Sequence, residues 1–146
     1  MKWVNHEIVT GVIVYGSTGD LLSTAFAMAG AIFPDKIEGR PGASYWSWRA
    51  RHRGWSHWPI IYIAILAIMQ LGLLPQGEDL ERGGTFICIG ALFHILEDAF
   101  CGKVPFLLPW QKVGIRLFKV GSVTEYLFSM AVVIFTYIIH AQFMIK

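Results

Sequence analysis

The sequence predicts an all-α membrane protein, a polytopic helix bundle with three full spans and an N-terminal re-entrant helical hairpin. The 146 residues are 55% hydrophobic and 15% charged, whereas a soluble domain usually carries about 25% charge. The mean hydropathy is +0.52. Long apolar runs alternate with polar connections, and turn residues interrupt the first run. The length suits a single domain over residues 1–146.

The first apolar run, residues 8–33, contains the sequence Gly16-Ser17-Thr18-Gly19-Asp20. Glycine and serine favour a turn here, and Asp20 is placed to cap a new helix. The pattern predicts helices over about residues 5–15 and 20–33, with Pro34 opening a polar loop. At 1.5 Å per residue they would reach roughly 16 and 21 Å, and neither would cross a hydrocarbon core of ~30 Å. A re-entrant hairpin follows, and it would return Asp35 to the side of His6.

Three further apolar runs predict the three spans. They cover residues 59–74, 85–100 and 123–145. Residues 102–121 mix proline, aromatic and basic side chains, a composition typical of a segment at the level of the lipid headgroups.

Basic residues are distributed unevenly about these predicted spans. With a hairpin, one side holds Lys2, five basic residues of the first loop and four of residues 102–121, which is ten of the twelve lysines and arginines. By the positive-inside tendency this side faces the cytoplasm, and the C-terminus lies outside. Arg49 and Arg51 fit plain positive-inside anchoring. The net charge of +2 is too small to indicate nucleic-acid binding.

His94 and Asp98 stand in the third apolar run, four residues apart, so a helix places them on one face. A carboxylate in hydrocarbon costs at least ~2.5 kcal/mol unless it is compensated. A metal ion held by both residues would compensate it, and so would a buried His–Asp hydrogen bond. The His94–Asp98 pair alone does not decide between a metal site and a buried hydrogen bond.

The predicted topology brings further ionisable residues to the same membrane level. Histidine and carboxylate ligands suit zinc, and also manganese or iron. The set could hold one to three ions, and two ions with a bridging carboxylate such as Asp98 would suit phosphoester displacement by metal-activated water. Arg53 could clamp a phosphate. The candidate metal ligands are His6, Asp35, His52, His57, His94, Asp98 and Glu125.

The order of these motifs resembles the YdjM-like family of small bacterial inner-membrane proteins. The resemblance runs from His6 to about Glu125. It is carried by Pro34-Asp35, by His52-Arg53-Gly54-Trp55-Ser56-His57, by Gly90, His94 and Asp98, by residues 102–110, and by Gly121-Ser122 followed by Glu125.

The resemblance implies a LexA-binding, metal-dependent hydrolase whose metal-site residues map onto the candidate ligands above. Two positions depart from the family pattern. Glu38 stands where the family often has a second aspartate, which leaves its role open, and Trp58 replaces a serine. The order of ligands is also distantly similar to zinc phospholipase C and P1 nuclease sites, which implies a reaction class only.

Two functions follow as alternatives. A transporter fits less well, because the far half of the chain offers no matching polar residues apart from His140. The first is a hydrolase of a phosphoester at the cytoplasmic face of the inner membrane, with lipid phosphoesters among the candidate substrates. Glu125 would be a ligand or general base, Arg53 would assist catalysis, and Arg53 and Lys103 would hold the phosphate. The second is a non-catalytic membrane adaptor or structural-metal protein that binds a cytoplasmic partner. Membrane lipid is an expected partner of either, while a LexA-type partner is implied by the family description alone.

Overall fold

Residues 3–38 form a helical hairpin that packs against one long central helix. The computed structural model describes residues 1–39, 44–73 and 77–144, with the side chains of residues 49–51 and 143–144 left out. Within these ranges the chain forms six α-helices: α1 Trp3–Thr18, α2 Leu21–Glu38, α3 Tyr45–Arg51, α4 Pro59–Gln70, α5 Glu78–Cys101 and α6 Val123–Met144. The mostly helical fold is therefore confirmed. The predicted anchoring role of Arg49 and Arg51 lies outside the described side chains.

The turn between α1 and α2 has the predicted chemistry. Gly19 adopts a left-handed φ of 65° and donates its N–H to the Tyr15 carbonyl. Asp20 then caps α2, because its side chain accepts the N–H groups of Leu22 and Ser23. The predicted break between two helices is confirmed, although both helices are longer than expected.

Helix α2 does not end at Phe33, as the proline had suggested, but continues through Pro34 to Glu38. Proline costs a helix one backbone hydrogen bond. Here the Pro34 ring is fully buried, and the packing of the ring outweighs that loss. The extra turn places Asp35 and Glu38 three residues apart, on neighbouring positions of one helix face.

Small residues bring α2 and α5 into backbone contact. A Cβ atom on Gly90 would lie 1.9 Å from the Ala27 carbonyl oxygen, and one on Gly30 would lie 2.2 Å from the Ile87 carbonyl oxygen. Such close approach is the usual way in which helices associate inside membranes. It sets the position of every side chain that α5 directs toward α2.

Two of the described helices are long and apolar enough to cross a bilayer. They are α5 and residues Val123–Gln142 of α6, each with a mean hydropathy of 1.5. Helix α4 has twelve residues, about 18 Å at 1.5 Å per residue. That length is well below the ~30 Å of a hydrocarbon core.

The connection between α5 and α6, residues 102–122, contains a short antiparallel ladder that the sequence did not predict. Strand β1 (Val104–Pro105) pairs with β2 (Lys112–Val113), with Val104 opposite Val113 and Pro105 opposite Lys112. The N–H of Ile115 also donates to the Ala99 carbonyl, at 2.8 Å. The connection is thereby fastened to the last turn of α5. A 3₁₀ turn at Trp55–His57 precedes α4.

Candidate metal centre

Three imidazole rings from three parts of the fold meet around His94. His6 comes from α1, His57 from the 3₁₀ turn and His94 from α5, and all three are fully buried. The Nε2 atoms of His57 and His94 are 3.1 Å apart. The His6 ring stacks on the His94 ring, with the centroids 4.0 Å apart.

The other nitrogen of each ring has an acceptor beside it. His94 Nδ1 lies 2.6 Å from the Ala31 carbonyl oxygen, which has no proton, so Nδ1 must donate. His6 Nδ1 lies 2.5 Å from Glu97 Oε2. His57 Nδ1 lies 3.2 Å from Glu38 Oε1 and 2.9 Å from Ser56 Oγ. A ring that donates through Nδ1 offers the Nε2 lone pair, as histidine ligands of metals do.

Two carboxylates complete the cluster. Asp35 Oδ1 is 3.4 Å from His57 Nε2 and 3.7 Å from His94 Nε2. Asp98 Oδ1 is 3.4 Å from His6 Nε2, and its Oδ2 is 3.6 Å from His57 Nε2. Tetrahedral zinc with bonds of ~2.0–2.1 Å spaces its ligand atoms by roughly 3.3 Å. The observed spacings therefore fit a small divalent cation.

Unsatisfied atoms support this fit. His6 Nε2 and Asp35 Oδ1 are buried and have no hydrogen-bond partner. Buried polar atoms are almost always satisfied, so such an exception calls for an explanation. The donor set forms three overlapping groups, each able to hold an ion: His6, His94 and Asp98; Asp35, His57 and His94; Asp35, Glu38 and His52.

The charge around His57 has a clear effect on its protonation. Burial by itself would lower the pKa of His57, but the carboxylates of Asp35, Asp98 and Glu38 outweigh burial and raise the pKa to about 10. The cluster thus attracts positive charge strongly. A divalent cation would satisfy the same carboxylates in place of the proton.

Glu38, whose role the sequence left open, organises the segment that carries two of the histidines. Its Oε2 lies 2.6 Å from His52 Nδ1. Its carboxylate also accepts the N–H groups of Arg53 and Gly54 and the Ser56 hydroxyl. The side chain is longer than aspartate by one methylene, and it reaches across to fix both His52 and His57.

Glu97 is a residue of this site that the sequence reasoning missed. It is buried, and it holds His6 as described, with a further contact to Thr10 Oγ1 at 3.4 Å. The available signal was its place in the apolar run, three residues after His94 and next to Asp98. A second carboxylate in that run also needs compensation.

Arg53 connects the cluster to a cavity. Its Nε forms an ion pair with Asp98 Oδ2 at 2.8 Å, and its backbone adopts a φ of 58°. A Cβ atom on Gly102 would lie 2.2 Å from Arg53 Nη1, so any side chain at position 102 would displace the guanidinium from its present position. The cavity, about 740 Å³ in volume, is lined by Asp35, Asp98, His52, Arg53 and Lys103, among others.

Glu125 lies apart from the three potential ligand groups. Its carboxylate accepts the N–H groups of Lys2, at 2.8 Å, and Gly121, at 2.6 Å, and the Asn5 amide. These contacts join the start of α1 to the start of α6. The role of ligand or general base expected for Glu125 stays a prediction.

The comparison with family models decides the identity of the whole chain. The model of the YdjM inner membrane protein family matches residues 1–145. The chain belongs to this family. Searches of curated proteins and of solved structures found no match. The YdjM family description places such chains in the inner membrane, in agreement with the two candidate spans.

Proposed function

We propose that this YdjM-family protein is a membrane-embedded, metal-dependent hydrolase of a phosphoester, with lipid phosphoesters among the candidate substrates. The observation that carries the proposal is the convergence of three buried Nε2 atoms, each on a ring whose Nδ1 has an acceptor beside it. The cavity beside them is lined by Arg53 and Lys103, and it suits an anionic substrate.

The proposed topology keeps the predicted spans. Helices α1 and α2 form a re-entrant hairpin. The span predicted over residues 59–74 crosses the membrane, as do α5 and α6. The cluster then lies at the cytoplasmic side and the C-terminus outside. Trp3 Nε1 donates to Asp35 Oδ2 at 2.7 Å, so the two ends of the hairpin meet on one side, as this topology requires.

The residues divide the work as follows. Either His6, His94 and Asp98 or Asp35, His57 and His94 would hold the cation. His52 and Glu38 belong, with Asp35, to the neighbouring third group. A bound divalent ion supplies Lewis acidity and makes water more acidic. Arg53, held beside Asp98, and Lys103 would orient the phosphate in the cavity. Burial of the cluster keeps its electrostatic interactions strong.

The experiment is elemental analysis of detergent-purified protein, with zinc, manganese and iron measured together. Wild-type protein should retain at least one divalent ion per chain, and His94→Ala and Asp98→Ala should lose it. The matched control is His140→Ala, because His140 on α6 contacts the Gly16 carbonyl and belongs to none of the three groups. Equal metal in wild type and His94→Ala would refute the proposal.

A hydrolysis assay then separates the two candidate functions. The complete burial of the three imidazoles also suits a structural metal in a non-catalytic adaptor, because structural sites are closed by protein ligands. A hydrolase should release phosphate from a phosphoester, with loss of activity in Asp98→Ala but not in His140→Ala. Metal retention without any turnover would favour the adaptor.

A further inference from the structure

The cavity beside the cluster has an excess of positive charge. Four basic side chains line it, Arg53, Lys103, Arg116 and Lys119, together with the N-terminal ammonium group of Met1, against two carboxylates, Asp35 and Asp98. Arg53 and the Met1 ammonium group are both paired with Asp98. The remaining three have no carboxylate partner among the described residues. A divalent ion at the cluster would add two further positive charges beside the same cavity.

The excess positive charge of the cavity favours some phosphate esters over others. A terminal phosphate group carries a charge of about −1.5 to −2 at pH 7, whereas a phosphodiester carries about −1. Three free cations next to a metal cluster complement the more highly charged group. The cavity volume of about 740 Å³ leaves room for a phosphate with one further group.

The cavity also lies where lipid headgroups are expected. Residues 102–122 join the end of α5 to the start of α6, the two helices long enough to span. This connection must therefore lie at a bilayer surface. It exposes large apolar side chains between its cations, including Phe106, Trp110, Ile115 and Leu117, and Val120 lines the cavity itself. Such alternation suits the boundary between headgroups and acyl chains.

We infer that the substrate is a lipid with a terminal phosphate, bound through Lys103, Arg116 and Lys119 while its acyl chains stay in the bilayer. The inference deepens the proposed function and rests on it for the position of the reacting phosphate. The phosphodiester bond of bulk phospholipids is disfavoured because a singly charged phosphate would leave the cavity cations uncompensated.

Native mass spectrometry of the detergent-solubilised protein tests binding without requiring turnover. The probes are dioleoyl phosphatidic acid, dioleoyl phosphatidylcholine and glycerol 3-phosphate. Wild type should retain phosphatidic acid over both others. The double variant Arg116→Gln/Lys119→Gln should lose about tenfold in that preference, as expected for two exposed charge pairs, and Lys103→Gln should lose less.

The matched control is Lys112→Gln. Lys112 is an exposed lysine of the same connection, on β2, and it does not line the cavity. Equal retention of the two lipids by wild type, or an undiminished preference in the double variant, would overturn the inference. Equal binding of glycerol 3-phosphate would overturn its lipid component.

Failure here is distinguishable from failure of the proposed function. The double variant should keep the wild-type metal content, since none of its changes touches a potential ligand. If the protein binds phosphatidic acid selectively but holds no metal, the proposed hydrolase function is refuted and the lipid-binding site is not. If the protein hydrolyses a phosphoester with its metal but does not prefer phosphatidic acid, the assignment of a lipid substrate with a terminal phosphate is refuted and the hydrolase function is not.

Discussion

Helices α5 and α6 have the same mean hydropathy, 1.5, and both are long enough to span a membrane. They differ in burial and in the residues that they contribute to the candidate site. Of the most apolar window of each helix, 39% is buried in α5 and 11% in α6. Helix α5 contributes His94, Glu97 and Asp98 to the centre of the molecule, whereas α6 exposes residues such as Phe135 and Tyr137. Equal hydropathy therefore does not distinguish a helix that contributes residues to the candidate site from a helix that only anchors the protein in the membrane.

The difference follows from the residues each helix sets against its neighbours. Helix α5 has Gly90 where it meets α2, and the resulting contact brings the Ala31 carbonyl to His94. Inside a bilayer, lipid tails are as apolar as leucine, so packing and hydrogen bonds rather than hydrophobicity hold helices together. Three paired substitutions test whether the two helices divide the work in this way.

The largest expected effect comes from cavity formation. Ile95 on α5 is 4% exposed and Ile134 on α6 is 52% exposed. Ile95→Ala should destabilise the protein by about 2–5 kcal/mol through lost packing and an unfilled cavity. Ile134→Ala should stay within about 0.5 kcal/mol. Denaturant unfolding of both variants in the same detergent measures the two losses of stability. Comparable losses would contradict the distinction between the two helices.

The next effect comes from added volume. Gly90→Ala should cost about 1–3 kcal/mol, because the new methyl group meets the backbone of α2 and forces the helices apart. Moving the helices apart should also lengthen the hydrogen bond from His94 Nδ1 to the Ala31 carbonyl and lower metal retention. Ala131→Leu adds more volume at an exposed site on α6 and should change neither property. Thermal melting and elemental analysis check the pair, and wild-type metal retention in Gly90→Ala would contradict the proposed coupling.

The third comparison concerns the two buried carboxylates, Glu97 and Glu125, and its effect on stability should be no larger than that of Gly90→Ala. Glu97→Gln on α5 should weaken metal binding about 10–100-fold, because Glu97 orients His6. Glu125→Gln on α6 should leave metal affinity unchanged and instead reduce stability by about 1–3 kcal/mol, because it weakens the acceptor of three donors. Competition with a chelator measures affinity. Metal loss in Glu125→Gln would support the ligand role predicted from the sequence.

Local chemistry made part of the fold predictable. The turn at Gly19 and Asp20 followed from backbone conformation and capping, which depend on adjacent residues alone. The pairing of His94 with Asp98 on one face followed from helical periodicity. His6, Asp35, His57, His94 and Asp98 do come together, because the hairpin returns the chain as its turn chemistry indicates.

The remaining features depend on contacts between distant parts of the chain. Pro34 stays inside α2 because its ring is buried, and Glu38 gains its role from the fold of residues 52–57. Glu97 became significant only when α1 placed His6 beside it. Of these features only Glu97 left a trace in the sequence, as a second carboxylate in the apolar run.

The hydrogen bond from His94 to Ala31 sets a limit on stoichiometry. With Nδ1 occupied, His94 has one lone pair left, at Nε2, yet two of the three ligand groups require it. A single imidazole nitrogen cannot ligate two ions at once, so those two groups compete for one equivalent of metal. A calorimetric titration should reach its first end point at one ion per chain, with any further ion confined to Asp35, Glu38 and His52.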